Sequence, residues 1–347
     1  MSYRRVAIHM MTVLVCLFAG SASGATGKTA CDLPQAPDHK DIVMLLWRGA
    51  SEVEVGFRAY VAENDLPFNV TCLSAEMDAD NLPKIIDRAK QMDPDLIYTW
   101  GTPTTRATLG THTADAPHAK VTKTPVIFTM VSYPVKSGIV PSFEAARPNA
   151  TGATHTVPVD AQIRAMKAYR PLKRLGVIYN PLENNSVVNV RQLKKLGREE
   201  AFEVIDLPAR LNAEQRPDPS SLPELVDKLA AREPQFLYIG PDSFIGSHRE
   251  TVTSAAMKHG IPVFTATQLG IENGKALLGL YTSYFNLGRY MGHLAERILM
   301  ANLDPESIPV RRLSRFTYGL RLSVANEIDL YPPLDVLDYA KVLDRAE

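Results

Sequence analysis

The sequence predicts two doubly wound α/β lobes, and two observations support this. First, short apolar runs typical of strands buried in parallel sheets alternate with segments of helical pattern. Second, the order of these segments occurs twice, with Trp47 matching Tyr179 (132 residues on), Tyr98 matching Tyr238 (140) and Pro125 matching Pro262 (137). A unit this long exceeds the roughly 20–50 residues of a solenoid repeat. We therefore expect two Rossmann-like lobes that face each other across a cleft.

The first half contains four predicted strands and three predicted helices. Residues 41–47 are almost continuously apolar, as in a strand that is buried on both faces. Ser51 and Glu54 have the spacing of a capping box, which starts a helix that runs to about Glu63. The other elements are strand 69–73, helix 82–91, strand 96–99, a helix capped by Thr102 with Pro103 in its first turn, and strand 126–131.

The second half repeats this order after a helix that ends at Tyr169. Its predicted elements are strand 175–179, helix 184–196, strand 202–207, helix 223–231, strand 236–239, helix 247–258 and strand 263–265. The tail adds strand 276–281, helix 284–301, strand 316–322 and a last helix over 334–343.

The tail is long enough to cross between the lobes again. We expect one lobe of residues 40–155 plus 283–320 and a second of residues 156–282 plus 321–347. The candidate hinge crossings are 150–156, 280–283 and 321–325. Several parallel hinge segments favour a rigid-body closing motion.

Residues 1–24 have the layout of a secretory signal peptide. Arg4 and Arg5 form a basic start, residues 6–18 are an almost uncharged apolar run, and residues 22–24 are small, as at a cleavage site. The apolar run is shorter than the roughly 20 residues of a membrane span. We expect an exported protein that is free in the periplasm. A retained N-terminal anchor is the alternative.

The cysteines fit an oxidising compartment. Cys16 would leave with the leader, so that Cys31 and Cys72 remain, and an even pair in an exported protein permits a disulfide. Two separate thiols are the alternative. With two cysteines and no nearby histidine, no metal site is expected.

Composition argues against other classes of partner. The 347 residues suit about two domains, and 45% hydrophobic content suits a packed core. Without the leader, 38 − 2 = 36 basic residues face 38 acidic ones, a net charge of −2. We expect no nucleic-acid partner, because no basic stripe is visible, and no later apolar run is long enough to cross a membrane.

Candidate binding residues follow the strands, because ligands of open α/β sheets lie outside the carboxyl ends of the strands. Hydroxyls and helix N-termini in these loops suit a carboxylate. Glu183 and Asp242 are acids at strand ends that could hold an ammonium group. The alternatives are that Thr102 and Asp242 simply cap helices, that Glu183 is a solvated first-turn acid, and that the strand-end aromatics are packing residues.

Signatures of catalysis are missing from the sequence. It contains no G-x-S-x-G, no phosphate-binding G-x-x-x-x-G-K-[ST], no G-x-G-x-x-G and no H-E-x-x-H. Histidines such as His155 and His248 are scattered without metal-like i, i+4 spacing, and surface or structural roles are expected for them. We therefore predict a protein that is not an enzyme and has no cofactor.

A series of short motifs runs through the mature chain from about Ile42 to Leu343. They are Arg48-Gly49 with Glu52 and Gly56-Phe57, residues 94–98 with 101–103, Pro134-Val135 with 138–140, residues 149–152, residues 176–181 with Glu183 and Asn185-Ser186, Asp242-Ser243, and residues 308–310. In this order they resemble ABC-transporter substrate-binding proteins related to the tryptophan and tyrosine uptake receptors. The resemblance implies the type I periplasmic-binding-protein fold and an amino-acid ligand with an apolar or aromatic side chain.

The chain departs from the family pattern at two places. Tyr133 stands where the family usually has an acid before a proline, and Arg147-Pro148 stands where it has a glycine pair. The first departure alters a loop at the predicted cleft mouth, so the ligand need not be the family's usual one.

For an amino-acid ligand, we assign roles to the candidate residues. The carboxylate is assigned to Thr102, Thr105 and Ser132, the ammonium to Asp242 with Glu183 as second choice, and the side-chain walls to Trp47, Tyr133 and Tyr281. Further candidate contacts are Glu52, Asn184, Ser243 and Thr265. The predicted protein is a monomeric periplasmic receptor that delivers its ligand to an ABC permease. A ligand-sensing subunit for a membrane signalling protein is the alternative, and an exported enzyme is a third reading.

Overall fold

The computed structural model describes residues 36–112 and 119–344 as two mainly parallel β-sheets with flanking helices. The predicted signal peptide and Cys31 lie outside the described residues. In chain order the strands are β1 (Lys40–Leu46), β2 (Phe68–Ser74), β3 (Leu96–Trp100), β4 (Val126–Thr129), β5 (Ala150–Thr154), β6 (Arg174–Tyr179), β7 (Glu203–Pro208), β8 (Phe236–Ile239), β9 (Val263–Thr265), β10 (Leu278–Tyr281), β11 (Arg311–Arg312), β12 (Thr317–Leu320) and β13 (Lys341–Val342).

Helices connect most of the strands. They are α1 (Glu52–Glu63), α2 (Leu82–Gln91), α3 (Thr102–Leu109), α4 (Val159–Tyr169), α5 (Asn184–Glu199), α6 (Leu222–Ala230), α7 (Ser243–Ser247), α8 (Arg249–Lys258), α9 (Gln268–Glu272), α10 (Tyr284–Leu299), α11 (Leu322–Glu327) and α12 (Leu334–Leu337). Among the described residues, no helix is long and apolar enough to span a bilayer.

The two sheets share one winding order. The first sheet runs β11-β5-β4-β3-β1-β2 and the second runs β13-β12-β10-β9-β8-β6-β7. Neighbours are parallel throughout, except that β10 and β12 are antiparallel. The strands β1, β3 and β4 match β6, β8 and β9 in position, as the sequence repeat predicted. The predicted fold class, two doubly wound α/β lobes, is confirmed.

Each sheet has its own hydrophobic core, and these cores define the lobes. The first lobe, residues 36–112, 119–154 and 284–312, buries the apolar strands and the inner face of α10. The second lobe, residues 159–281 and 317–344, holds the remaining buried clusters. The chain passes between the lobes at 155–158, 282–283 and 313–316. The predicted first lobe ran to residue 320, whereas β12 pairs with β10 and buries Tyr318 and Leu320 in the second core.

The helix α1 begins as the sequence predicted. The Ser51 hydroxyl accepts from the Val53 N–H at 3.3 Å, and the Glu54 carboxylate accepts from the Ser51 N–H at 2.8 Å. This capping box satisfies N–H groups that have no partner inside the helix. Glu54 is buried and also accepts from the Tyr98 hydroxyl at 2.6 Å, which anchors α1 to the centre of the sheet.

Some predicted elements differ from the structure in their type or their bounds. At these sites the backbone conformation, or pairing between strands at a sheet edge, determines the element. Residues 150–154 were predicted as part of a hinge crossing, but they form β5, which pairs with β4. The strand predicted to reach residue 131 ends at Thr129, because Met130 has a φ of 54°. The last helix was predicted over 334–343, but it ends at Leu337 because residues 341–342 pair with β12 as β13.

Cys72 lies in β2 and is disulfide-bonded. Cys31 is the partner predicted from the sequence, and it lies outside the described residues.

Candidate ligand-binding cleft

The centre of each sheet ends at a single cavity between the lobes. The winding order reverses between β1 and β3 and again between β6 and β8, and such switch points are where open α/β sheets bind ligands. The residues that follow these strands, Arg48, Thr102, Glu183 and Asp242, all line the cavity. Its enclosed volume is about 40 Å³, and this rises to about 410 Å³ when its opening to solvent is counted.

The wall from the first lobe carries a positive charge and hydrogen-bond donors. The Arg48 guanidinium lies 4.8 Å from the centre of the Trp100 ring. Gly101, with a φ of 92°, turns the chain sharply from β3 into α3, so the N-terminus of that helix faces the cavity. Free N–H groups and the helix dipole at such a terminus favour an anion.

Thr102 is the first residue of α3 and not its cap, because Gly101 occupies the cap position. The Thr102 hydroxyl is therefore not used to cap the helix. Within the described part of the chain, this hydroxyl and the Trp100 Nε1 are buried and have no hydrogen-bond partner. Unpaired buried polar atoms are costly in a folded protein, so a ligand is the natural partner for these two.

The wall from the second lobe carries two buried acids. Glu183 Oε2 accepts from the Ser243 N–H at 2.9 Å, and Glu183 Oε1 accepts from the Asn185 amide at 3.3 Å. Asp242 Oδ1 caps α7 by accepting from the Ile245 N–H at 2.8 Å, and its Oδ2 accepts from the Asn180 N–H at 2.6 Å. The capping role that the sequence left open for Asp242 is thus observed.

The two acids are short of positive charge. Burial, helped by the charge of Asp242, raises the pKa of Glu183 to about 7, and burial also raises the pKa of Asp242. Among residues 36–112 and 119–344, neither carboxylate has a basic group within 4 Å. A buried carboxylate without a positively charged partner is unfavourable, so this wall is suited to a cation.

The crossovers supply aromatic and polar groups at the base of the cleft. The ring of His155 lies edge-on to that of Tyr284, with centres 6.1 Å apart. Burial, with a smaller effect of the Arg48 charge, lowers the pKa of His155 to about 3, so this side chain is neutral. Its Nδ1 has no hydrogen-bond partner in the described structure. The sequence predicts a surface or structural role for His155, whereas its position directly after β5 puts it in the cleft.

The structure brings together five of the residues that the sequence selected. These are Thr102, Ser132, Glu183, Asp242 and Ser243. The other selected residues do not line the cavity, and they are Trp47, Glu52, Thr105, Tyr133, Asn184, Thr265 and Tyr281.

Local geometry explains most of these differences. Thr105 points into its own lobe, where its hydroxyl bonds to Thr99 Oγ1 at 2.9 Å and to the Gly101 carbonyl at 2.8 Å. The Thr265 hydroxyl bonds to the Thr267 carbonyl at 3.1 Å. Glu52 and Asn184 are exposed at the outer side of their first helical turns.

The aromatic residues selected as side-chain walls pack elsewhere. Trp47 packs beneath the turn at Gly101, and Tyr281 packs against Gly319 of the neighbouring strand. Tyr133 crosses to the second lobe, where its hydroxyl accepts from the Asn189 amide at 2.6 Å. The aromatic groups in the cleft are instead Trp100, His155 and Tyr284.

Sequence reasoning missed several residues of the cavity, chiefly Arg48, Trp100, Asn185, His155 and Tyr284. Arg48 and Asn185 each lie one residue beyond a selected position, Trp47 and Asn184. The rule that ligands lie beyond the carboxyl ends of the strands pointed to these loops. It does not give the direction of each side chain. No group of three or more His, Cys, Asp or Glu among the described residues is placed to hold a metal.

The lobes touch at the cleft mouth and beside the crossovers. Arg216 pairs with Asp78 at 3.0 Å, and the Ser247 hydroxyl lies 3.6 Å from the Met77 sulfur. Lys136 donates to the Gln192 amide oxygen at 2.7 Å. These contacts join the two lobes across the cleft.

Comparisons with known proteins agree with this architecture. A family model described as ABC transporter substrate binding protein matches residues 54–343. A tyrosine-binding protein of Clostridioides difficile is 28% identical over 227 residues, which cover 65% of this chain and 61% of that protein. The chain thus matches less than two thirds of that relative's length.

Solved structures show the same fold. A conserved domain protein of Vibrio cholerae has a TM-score of 0.77 at 20% identity, covering 87% of this chain and 99% of that one. A Streptococcus protein in complex with L-Trp has a TM-score of 0.76 at 19% identity, covering 88% and 99%. A ligand-free, open substrate-binding protein with adhesive properties from Clostridium difficile has a TM-score of 0.64 at 22% identity, covering 87% and 98%.

Proposed function

The chain belongs to the ABC transporter substrate-binding protein family, and from this premise we propose that it binds a free amino acid between its two lobes. One observation carries the proposal. The cleft has a guanidinium and a helix N-terminus on one wall and two buried acids without a basic partner on the other. A zwitterion has the opposite arrangement of charge, and it would neutralise both walls when the lobes close.

The carboxylate of the ligand would lie on the first lobe. Arg48 supplies a planar donor group suited to carboxylates. The Thr102 hydroxyl and the N–H groups at the start of α3 lie on the same wall. Ser132 lines the cavity as well and remains a candidate contact.

The ammonium group would lie on the second lobe, with Glu183 as its main partner. The sequence favoured Asp242, but both oxygens of Asp242 accept from backbone N–H groups at 2.6 and 2.8 Å. Glu183 makes one contact of that kind, at 2.9 Å, and its second contact is longer, at 3.3 Å. Asp242 would then act by adding negative charge and by fixing the start of α7.

The side chain of the ligand would be apolar or aromatic. Trp100, Met130, Leu269 and Tyr284 provide apolar surface in the cavity, beside the neutral ring of His155. Small-molecule sites combine such walls with a few polar clamps. The names of two similar proteins, the tyrosine-binding protein and the complex with L-Trp, support the same class of ligand.

The proposed place of action is the periplasm, after removal of residues 1–24. There the receptor, a monomer without catalytic activity, would deliver its ligand to an ABC permease in the membrane. A ligand that contacts both walls binds the closed form better than the open one, and this difference drives closure.

The test is a binding screen of the leaderless protein, freed of ligand by unfolding and refolding. Thermal-shift measurements against the common amino acids should give a hit, since ligand at about 100 times its Kd adds roughly 2.7 kcal/mol to stability. Calorimetry then compares each hit with its analogue lacking the carboxylate and with its analogue lacking the amine, both of which should bind more weakly.

Variants connect the hit to the cleft. Glu183→Gln removes the proposed ammonium partner and should weaken binding by roughly 2–5 kcal/mol, as for a buried charge pair. Glu52→Gln is the matched control, since Glu52 is exposed outside the cavity. A folded protein that responds to no amino acid, or a Glu183→Gln variant that binds like the unchanged protein, would refute the proposal.

A further inference from the structure

A second cavity lies beside the first crossover, separated from the cleft by Ser132, which lines both. Its volume is about 460 Å³. The loop that follows β4 forms one side, and residues 156–158 of the crossover form another. Both lobes therefore contribute to it, and we call it the hinge pocket, defined by Tyr133, Val135, Phe143, Val157, Gln192 and Arg312.

The walls of the hinge pocket are mainly apolar. Val135, Phe143 and Val157 line it together with the ring of Tyr133. Tyr133 belongs to the first lobe by sequence, yet it packs against the hydrophobic core of the second lobe and bonds to Asn189. This side chain closes the floor of the pocket across the seam between the lobes.

The polar groups of the hinge pocket are mostly donors. The Arg312 guanidinium lies 5.1 Å from the centre of the Phe143 ring. Lys136 donates to Gln192 Oε1 at 2.7 Å, and Gln192 Nε2 is buried without a hydrogen-bond partner in the described structure. Among the described lining residues, Glu144 is the only acid, and it is exposed.

We propose that the hinge pocket binds a small aromatic carboxylate that has no ammonium group. Pockets for small molecules have volumes of about 300–1,000 Å³ and combine apolar walls with a few placed polar groups. An arginine held against an aromatic ring presents its planar face to the ring and its donors to a carboxylate. The unpaired Gln192 amide supplies a further donor.

This site is distinct from the cleft. Arg48, Thr102 and Glu183 line the cleft and not the hinge pocket. An occupant would touch residues of both lobes, so it would favour the closed arrangement without competing for the amino-acid site.

The experiment uses indole-3-acetate as the probe and neutral indole-3-ethanol as its matched analogue. Binding to the leaderless protein is followed by calorimetry and by ligand-observed NMR. Arg312→Gln removes the proposed carboxylate partner, and Val135→Trp fills the pocket. Arg311→Gln is the matched control, because Arg311 precedes Arg312 on β11 but does not line the pocket. Arg48→Gln reports on the cleft, where Arg48 is the proposed carboxylate partner.

We expect one equivalent of indole-3-acetate to bind and indole-3-ethanol to bind at least fivefold more weakly. Arg312→Gln should weaken the probe at least fivefold and Val135→Trp should abolish its binding, whereas Arg311→Gln and Arg48→Gln should leave it unchanged. Absence of binding at millimolar probe would overturn the proposal, as would a loss caused by Arg48→Gln and not by Arg312→Gln. Arg312 is exposed, so its variant keeps the test valid even if Val135→Trp does not fold.

Discussion

At Glu183 and Asp242, burial opposes the negative charge of the side chain. Their exposed fractions are 4% and 8%, and among the described residues no basic side chain lies within 4 Å of either. Desolvation favours the neutral form of an acid, and a nearby negative charge favours it further. The pair therefore takes up a proton more readily than ordinary acids do, and a bound ammonium group would release it.

The first prediction concerns the pH dependence of binding. Because the pKa of Glu183 is raised to about 7 and a cationic ligand favours its charged form, affinity for an amino acid should fall as pH drops below about 7. The limiting slope is up to about tenfold in Kd per pH unit when one proton is displaced. Calorimetric titrations across this range provide the measurement. Glu183→Gln should flatten the profile, and an equally steep profile in that variant would contradict the assignment.

The second prediction concerns stability without ligand. The folded pKa of Glu183, about 7, is higher than its ordinary value of 4.5, so between these values the folded state binds more protons than the unfolded state. The free energy of unfolding therefore loses this contribution as pH rises through that window. Glu183→Gln should thus be stabilised relative to the unchanged protein by more at about pH 8 than at about pH 5. Melting curves at the two values test this, and an equal difference at both would count against it.

At the residue scale, the sequence could identify which loops form the site but not which side chains reach it. Thr102, Glu183 and Asp242 were found because strand ends in parallel sheets converge. Thr105 and Asn184 were selected by the same rule, but helix phase turns one into its own lobe and the other to solvent. The position of the Tyr133 side chain depends on where the second lobe lies, because it packs against that lobe. A local sequence pattern contains no information on the position of another lobe.

At the scale of elements, α1 and α10 pack more closely than any added side chain would allow. A Cβ on Gly288 would lie 1.8 Å from the Val53 carbonyl oxygen, and one on Gly56 would lie 2.0 Å from the Phe285 carbonyl oxygen. Backbone therefore meets backbone at this crossing. The helix α10, late in the sequence, is therefore held against α1, the first helix of the described residues.

The third prediction tests this crossing. Gly288→Ala should destabilise the protein by about 1–3 kcal/mol or more, because the methyl group forces the two helices apart. Gly49→Ala is the control, since a Cβ there meets no atom within 4 Å. Chemical denaturation measures both. Equal stability of Gly288→Ala and Gly49→Ala would show that the crossing is looser than described.

Most elements could be predicted because their apolar periodicity is strong, as in β1, β8 and α10. The elements that differed are short or lie at sheet edges. Strand β5 has the sequence Ala-Thr-Gly-Ala-Thr, whose weak apolar signal reads as a linker, and only its pairing with β4 makes it a strand. Strand β13 exists because residues 341–342 pair with β12, a contact between distant parts of the tail.

For the whole molecule, the contacts between the lobes set how firmly the cleft closes. The Asp78–Arg216 pair lies at the mouth, with its side chains 26% and 61% exposed. Exposed pairs of this kind contribute about 0–1 kcal/mol and weaken with salt. The ligand, and not this pair, should therefore supply most of the free energy of closure.

The fourth prediction follows from that comparison. Arg216→Gln should weaken amino-acid binding by less than about fivefold, and the effect should shrink at high salt. Arg289→Gln, which removes the Arg289–Glu63 pair inside the first lobe, should leave affinity unchanged. Calorimetry at low and high salt gives both values. A loss from Arg216→Gln as large as that from Glu183→Gln would make the mouth pair a main determinant of closure.

The three crossovers also determine the order in which this protein is able to fold as it is synthesised. The core of the first lobe includes Leu287, Met291 and Leu294 of α10, and the sheet of the second lobe includes β12 near residue 320. The first lobe is complete only after residues 159–281 of the second lobe have been made. The second lobe is complete only after the whole of the first has been made. A growing chain therefore keeps apolar surface exposed until its last few dozen residues appear, and then both lobes finish almost together.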